Sequence, residues 1–312
     1  MIKVIKPGFQ STVQDRGRFG FSHYGISISG TADSISYKIG NLLVGNNCGE
    51  AAIEMTLVGG EFLFEEDAII SITGSDFQPK IENKIVSMWQ TLKIKSGEII
   101  SFANTLNGAR SYLCIKGGIK IQQILGSCST HLLTSLGGLN GRKLLKGDRL
   151  PIEKLTNEEI QSYKVSKQII ALLNSKNIIR VTTAPQTNYF SKDVIEKFTS
   201  NKYVVSEEAN RMGLRLIGKK LEREIMEEII TEGITLGAIQ ISNDGMPIIL
   251  FVEHQTTGGY PKIANVISAD MHKIGQLRPR DEINFQFVSI EQAHKLNLEL
   301  ESLISINSFD KL

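Results

Sequence analysis

Cysteine is scarce and poorly spaced for chemistry. Cys48, Cys114 and Cys128 are odd in number, and no Cys-x-x-Cys pair exists to hold zinc or to cycle a disulfide. They read as reduced thiols. A dense Lys/Arg block interleaved with aromatics is also missing, and 35 basic against 33 acidic side chains leave a net charge of +2, so no nucleic-acid partner is implied. No apolar run approaches the ~18 residues needed to cross a bilayer, and the stretch Met1 to Gly8 is too short in apolar length for a signal peptide. The sequence therefore predicts a soluble, cytoplasmic protein without membrane contact. His23, His131, His254, His272 and His294 lie far apart, without the i, i+4 spacing of a helix-borne metal pair, and no bound metal is expected.

Two catalytic signatures come near and fail. The run Leu125-Gly-Ser-Cys-Ser-Thr130 has no G-x-S-x-G elbow, which argues against a serine hydrolase. Gly213 to Lys220 reads G-x-x-x-x-G-K-K, with Lys220 where a phosphate-binding loop needs Ser or Thr to hold magnesium. Leu214, Arg215 and Leu216 alternate instead like a strand running into a turn.

A chain of 312 residues favours two domains. The Glu-, Gln-, Lys- and Ser-rich composition that begins near Thr156 places a linker over 156–177, between an N-terminal domain over 1–155 and a C-terminal domain over 178–312. Short glycine-bounded apolar segments at 52–58, 61–64, 68–73, 85–94 and 98–102 signal a barrel or sandwich rather than alternating β-α units. Strands are predicted again over 178–182 and 262–268, with a final strand pair over 277–288. A helical stripe of Ile35, Ile39, Leu42 and Leu43 starts behind Asp33 or Ser34 as cap, an amphipathic segment spans 191–198, and a terminal helix spans 291–304. The fold class is thus mainly β with short helices (α+β). The match of Ser96-Gly-Glu-Ile-Ile-Ser-Phe102 to Arg280-Asp-Glu-Ile-Asn-Phe285 points to an imperfect repeat of two related barrels.

Three places carry polar groups in unexpected surroundings. Thr12-Val-Gln-Asp-Arg-Gly-Arg-Phe-Gly20 reads either as an Arg–Asp clasp or as an anion contact. Glu54 stands inside the apolar segment Ile53-Glu-Met-Thr-Leu57, either facing solvent or buried against a compensating donor. Most informative is His254-Gln-Thr-Thr-Gly-Gly-Tyr-Pro-Lys-Ile-Ala264, which follows the apolar run Pro247 to Val252 and is expected at the mouth of the second barrel. Glycine lets backbone approach a ligand, and threonine hydroxyls both donate and accept.

These blocks, together with Lys116-Gly-Gly-Ile119, Asn210-Arg-Met-Gly213, Glu232-Gly233 and Gly237-Ala-Ile-Gln240, resemble the biotin-dependent carboxyltransferase family, also called allophanate hydrolase subunit 2, which includes the C subunit of 5-oxoprolinase. The resemblance implies two cyclophilin-like β-barrel domains. It also implies a hetero-oligomer with a companion cyclophilin-like subunit and a third oxoprolinase subunit, opening 5-oxo-L-proline to L-glutamate at the expense of ATP, with the ATP site on this or another subunit. In urea carboxylase relatives the corresponding domain moves a carboxyl group from carboxybiotin to urea. This chain has no Met-Lys-Met biotinyl site, so biotin enters only as a carboxyl donor on another chain. A third relative is a non-enzymatic antagonist of a kinase inhibitor, so the resemblance also implies, as an alternative, that this chain is a non-enzymatic partner and antagonist of its companion subunit.

For a small amide substrate, Gln240, Gln255, Thr256, Thr257 and the backbone of Gly258 and Gly259 are suitable neutral donors, with Tyr260 beside them. Arg211 is assigned to a substrate carboxylate and Asp270 to acid/base work or amine binding. The family pattern has an acidic residue where His254 stands and glycine where Arg280 stands. His254 is accordingly assigned either proton transfer or a changed substrate, and the turn at Arg280 is expected to be remodelled if it requires positive φ.

Overall fold

The computed structural model describes residues 1–155, 161–175, 177–224 and 229–312, so 156–160 and 176 of the expected linker lie outside the described residues. The chain divides into two compact units: Met1–Arg18, Ser29–Leu172 and Ser302–Leu312 form the first, and Phe19–Ile28 with Leu173–Glu301 the second. Among the described residues no helix is long and apolar enough to cross a membrane.

In the first unit the strands are β1 (Ile2–Lys6), β2 (Gln10–Gln14), β3 (Ala52–Thr56), β4 (Glu61–Phe64), β5 (Ala68–Gly74), β6 (Lys80–Ile81), β7 (Lys84–Ile85), β8 (Thr91–Ile94), β9 (Ile99–Ser101), β10 (Arg110–Ile115) and β11 (Arg149–Leu150), with helix α1 (Ser34–Leu43) after β2. They form a six-stranded sheet, β11-β1-β4-β9-β6-β7, and a five-stranded sheet, β2-β3-β10-β5-β8. Val4, Phe62 and Phe64 from the first sheet and Ile53, Ile70 and Leu113 from the second share one apolar core. The strand predicted over 85–94 is two strands, because the chain leaves the ladder around Trp89, whose φ is 59°.

Local chemistry sets α1. The Asp33 carboxylate caps it by accepting from the Ser36 N–H at 2.9 Å, and Ile35, Ile39 and Leu43 point into the interior. At Gly40 an added Cβ would stand 2.7 Å from Cys114 Sγ and 2.8 Å from Thr73 Oγ1, so the missing side chain lets the helix lie on β5 and β10. Glu54 is buried, and its carboxylate accepts from the Ala32 N–H and the Tyr112 hydroxyl, both at 2.8 Å. The Thr12–Gly20 cluster closes on the distant serine loop. Asp15 accepts from the Ser127 hydroxyl at 2.6 Å and from the Ser129 hydroxyl and Cys128 N–H at 2.5 Å each, while Arg18 donates to the Ser129 carbonyl. The aspartate and arginine thus grip the same loop, and the two motifs form one buried structural unit.

Following β12 (Tyr163–Lys164) and α2 (Lys167–Leu173), the second unit contains β13 (Ile178–Thr183), α3 (Lys192–Ser200), β14 (Tyr203–Val205), β15 (Gly213–Ile217), β16 (Glu232–Gly233), β17 (Ala238–Ile241), β18 (Pro247–Leu250), β19 (Thr257–Gly258), β20 (Lys262–Val266), α4 (Met271–Gly275), β21 (Glu282–Phe287) and α5 (Ile290–Leu303). Seven strands close a barrel in the order β13-β20-β17-β18-β15-β14-β21, the parallel β13–β21 ladder completing the ring. Ser191 caps α3 through the Val194 N–H, and Phe198 on that helix stacks on Phe285 with ring centroids 4.4 Å apart. Gly213 to Ile217 lies in the barrel ladder as the sequence implied, so this run opens no helix and forms no phosphate loop. Instead of a final strand pair over 277–288 there is one strand, β21, behind a turn. After α5 the chain ends in β22 (Asp310–Lys311), which pairs with β12.

The turn before β21 matches the turn before β9. In one, the Glu98 side chain accepts from the Lys95 N–H at 2.8 Å, Gly97 has φ 88°, and Ile100 and Phe102 enter the core. In the other, Asp281 accepts from the Arg278 N–H at 3.0 Å, Arg280 has φ 72°, and Ile283 and Phe285 enter the core. Arg280 therefore holds the left-handed position that Gly97 fills in the first unit, and the turn is not remodelled. Its N–H bond to the Val205 carbonyl at 2.8 Å fixes that conformation.

Candidate functional site

Alternation around the barrel decides which side chains face out. Leu214, Ile239 and Ile249 are paired across β15, β18 and β17 and are buried, whereas Arg215, Ile248 and Gln240 form the adjacent cross-strand row. Because Arg215 is exposed, that row lies on the outer face. The cleft described next is therefore on the barrel's outer wall. At Gln240 the β17–β20 register shifts, and this bulge sets Gln240 opposite Lys262.

A cleft of about 160 Å³ lies over this face. Its lining combines the carboxamides of Gln240, Gln255 and Asn210, Tyr260 and Arg215, and apolar Met212, Ile248 and Leu250, with Gly213 supplying no side chain. Gln240 Nε2 donates to the Tyr260 carbonyl at 3.4 Å. Gly258 brings the two glutamines together: a Cβ there would meet Ile234 Cδ1 and would lie 2.9 Å from Gln255 Nε2 and 3.1 Å from Gln240 Nε2. Of the expected site residues, Gln240, Gln255, Gly258 and Tyr260 are therefore assembled in one place.

The others are distributed around it. Thr257 and Gly258 form β19 against Gly233 and Glu232, and the Thr256 carbonyl accepts from the Ile234 N–H at 2.9 Å, so this stretch is held as a short ladder. Thr257 and Gly259 are exposed beside it. His254 is buried, with Nδ1 2.6 Å from the Gln255 carbonyl, and burial pushes its imidazole below the usual range even though that contact pulls the other way.

Two further expected site residues lie in buried ion pairs. Arg211 is buried in an ion pair with Glu253, its charge already answered, while its neighbours Asn210 and Met212 line the cleft. Asp270 is fully buried and accepts from the Arg180 N–H at 2.8 Å, from Arg180 Nε at 3.0 Å and from Lys273, whose Nζ is 3.0 Å away. Burial alone would raise its carboxyl, but the hydrogen bonds from Arg180 and the charge of Lys273 outweigh this and hold it below the usual carboxylate range. A carboxylate so clamped ties β13 to α4 and is a poor proton carrier.

Sequence reasoning missed Lys262, Glu232 and Gln186. Lys262 is buried and pairs with Glu232, which also accepts from Gln186 Nε2 at 2.7 Å; these contacts, Lys262 foremost, hold the Glu232 carboxyl low. The trio braces β16 and β20 on either side of the glycine turn. Lys262 directly after Gly-Gly-Tyr-Pro was the available signal, since a lysine opening a buried strand needs a partner.

Residues 24–287 match the family described as carboxyltransferase domain, subdomain A and B. The chain belongs to this family. It is 37% identical over 295 residues to the C subunit of 5-oxoprolinase from Escherichia coli (strain K12), spanning 95% of this chain and 94% of that protein. Against the C subunit of 5-oxoprolinase from Haemophilus influenzae it is 34% identical over 301 residues, 96% of each chain. In structure this carboxyltransferase domain is similar to the K. lactis urea amidolyase, with a TM-score of 0.90 and 31% identity, covering 97% of this chain and 20% of that one. Both the mainly β fold and the family read from the sequence blocks are confirmed.

Proposed function

We propose that this carboxyltransferase-family chain serves as the C subunit of an ATP-dependent 5-oxoprolinase, opening 5-oxo-L-proline to L-glutamate within a hetero-oligomer that includes a companion cyclophilin-like subunit and a third subunit. The observation that carries this reading is the meeting of the Gln240 and Gln255 carboxamides at Gly258 in a cleft sized for a small ring amide. A carboxamide offers one acceptor and two donors, so two of them complement a lactam C=O and N–H without charge, and donors aimed at the oxygen stabilise the negative charge that develops there as a nucleophile adds to the carbonyl, before the C–N bond breaks. Ile248 and Leu250 supply an apolar surface for the ring. ATP is consumed by the assembled complex. The Gly213–Lys220 run does not fit a phosphate cradle, and the role of this chain is to bind and orient the amide.

The likeness to the K. lactis urea amidolyase favours a second reading, carboxyl transfer from carboxybiotin on another chain to urea, itself a small amide suited to the same donors. Reconstitution with the partner subunits separates the two. ATP-dependent glutamate release from 5-oxoproline supports the first, and urea-dependent decarboxylation of carboxybiotin the second. An assembled complex that releases no glutamate sinks the oxoprolinase reading.

A further inference from the structure

The row of side chains across β15, β18 and β17 has a cation at one end and a carboxamide at the other. Arg215 pairs with Ile248 and Ile248 with Gln240, so all three share the outer face, and two strand spacings put the end Cα atoms about 10 Å apart. In a lactam bearing a carboxylate next to its nitrogen, the lactam oxygen and carboxylate carbon are roughly 5 Å apart by covalent geometry. Such a ligand lies over Ile248 with its amide toward Gln240 and its carboxylate within the reach of Arg215. Gly213, two residues earlier on the same face, keeps this space open, since a Cβ there would stand 3.1 Å from Ile248 Cγ2.

Among the described residues lining the cleft, Arg215 alone is cationic. Its ion-pair partner among the described residues is Glu208 at 3.7 Å, itself 77% exposed, a solvated pairing readily exchanged for a ligand's carboxylate. The planar guanidinium suits such a group because it donates two parallel hydrogen bonds. We infer that Arg215 binds the substrate's carboxylate and makes the cleft selective for lactams that carry one. This rests on reading the cleft as the amide site.

Two lactams test it: 5-oxoproline and 2-pyrrolidinone, which has the same ring without the carboxylate. In the reconstituted complex, Arg215→Gln is expected to raise KM for 5-oxoproline about 10- to 100-fold with kcat within about twofold, and so to narrow the preference for 5-oxoproline over 2-pyrrolidinone. Arg215→Lys recovers part of the loss, since a point charge replaces the fork. Ligand-observed NMR with the full chain is the second readout, in which binding of 5-oxoproline is expected to be lost in Arg215→Gln. Wild-type KM and wild-type binding in that variant overturn the assignment. If the wild-type complex does not turn over 5-oxoproline, yet binding is seen and disappears with Arg215→Gln, the functional reading falls and the carboxylate site stands. Absence of both in the wild type overturns both.

Discussion

The Nδ1 atom of His254 and the carbonyl oxygen of Gln255 are 2.6 Å apart. A carbonyl only accepts, so the ring proton is on Nδ1 and Nε2 is the bare nitrogen. With burial pushing its imidazole low, His254 is neutral at neutral pH and fixes the backbone of the residue whose carboxamide lines the cleft.

That relationship sets a pH dependence. Because the folded pKa lies below the unfolded value of about 6.5, the unfolded chain takes up the proton first as pH falls. The stability contribution is fully present above about pH 6.5 and is lost as pH falls through the depressed folded pKa. Melting temperature is therefore expected to drop more steeply in the wild type than in His254→Gln between about pH 7 and 5. Parallel curves would argue against a buried neutral ring.

Asp270 offers a choice between structure and chemistry. Asp270→Asn leaves Lys273 and Arg180 without their shared counter-charge and is expected to cost about 3 kcal/mol, read as a lower melting temperature. An acid/base residue would behave oppositely, giving a variant that melts like the wild type and loses turnover.

Arg280 carries a removable strain. A non-glycine residue in the left-handed region costs about 1–2 kcal/mol, glycine returns roughly half of that as lost chain entropy, and the exposed pair with Glu207 contributes little. Arg280→Gly is expected to raise stability by about 0.5–1 kcal/mol, seen as a higher urea midpoint. An unchanged or lower midpoint would show that the Glu207 contact outweighs the strain.

Much of the local structure is legible in the sequence because its causes are local. Asp33 caps three residues ahead, Ser191 does the same, and the alternation of Leu214, Arg215 and Leu216 marks a barrel strand. The family blocks group Gln240, Gln255 and Tyr260 with Arg211, Thr256, Thr257, Gly258 and Gly259, and of these Gln240, Gln255 and Tyr260 line the cleft. What is hidden depends on partners distant in sequence. Asp15 meets Ser127 and Ser129, Arg180 meets Asp270, and Glu253 meets Arg211; only folding shows that these charges are answered. In the sequence Arg215 shows only its strand position, and its place in the cleft follows from barrel register.

Gly258 separates crowding from backbone strain. Its φ is not in the left-handed region, so Gly258→Ala acts only through the new methyl against Ile234 and the two carboxamides. Displacing those amides is expected to lower kcat/KM by about 10²-fold, against a stability loss of about 1–3 kcal/mol. Wild-type turnover in a stably folded variant would remove the carboxamides from the reaction.

The most direct measurement is kcat/KM for ATP-dependent glutamate release by the reconstituted complex carrying Gln240→Leu or Gln255→Leu. Each substitution keeps the side chain's bulk and deletes its hydrogen bonds, so a loss of about 10²-fold with the subunits still co-eluting is expected. Turnover at the wild-type rate in both variants would contradict the assignment of the amide substrate to this cleft.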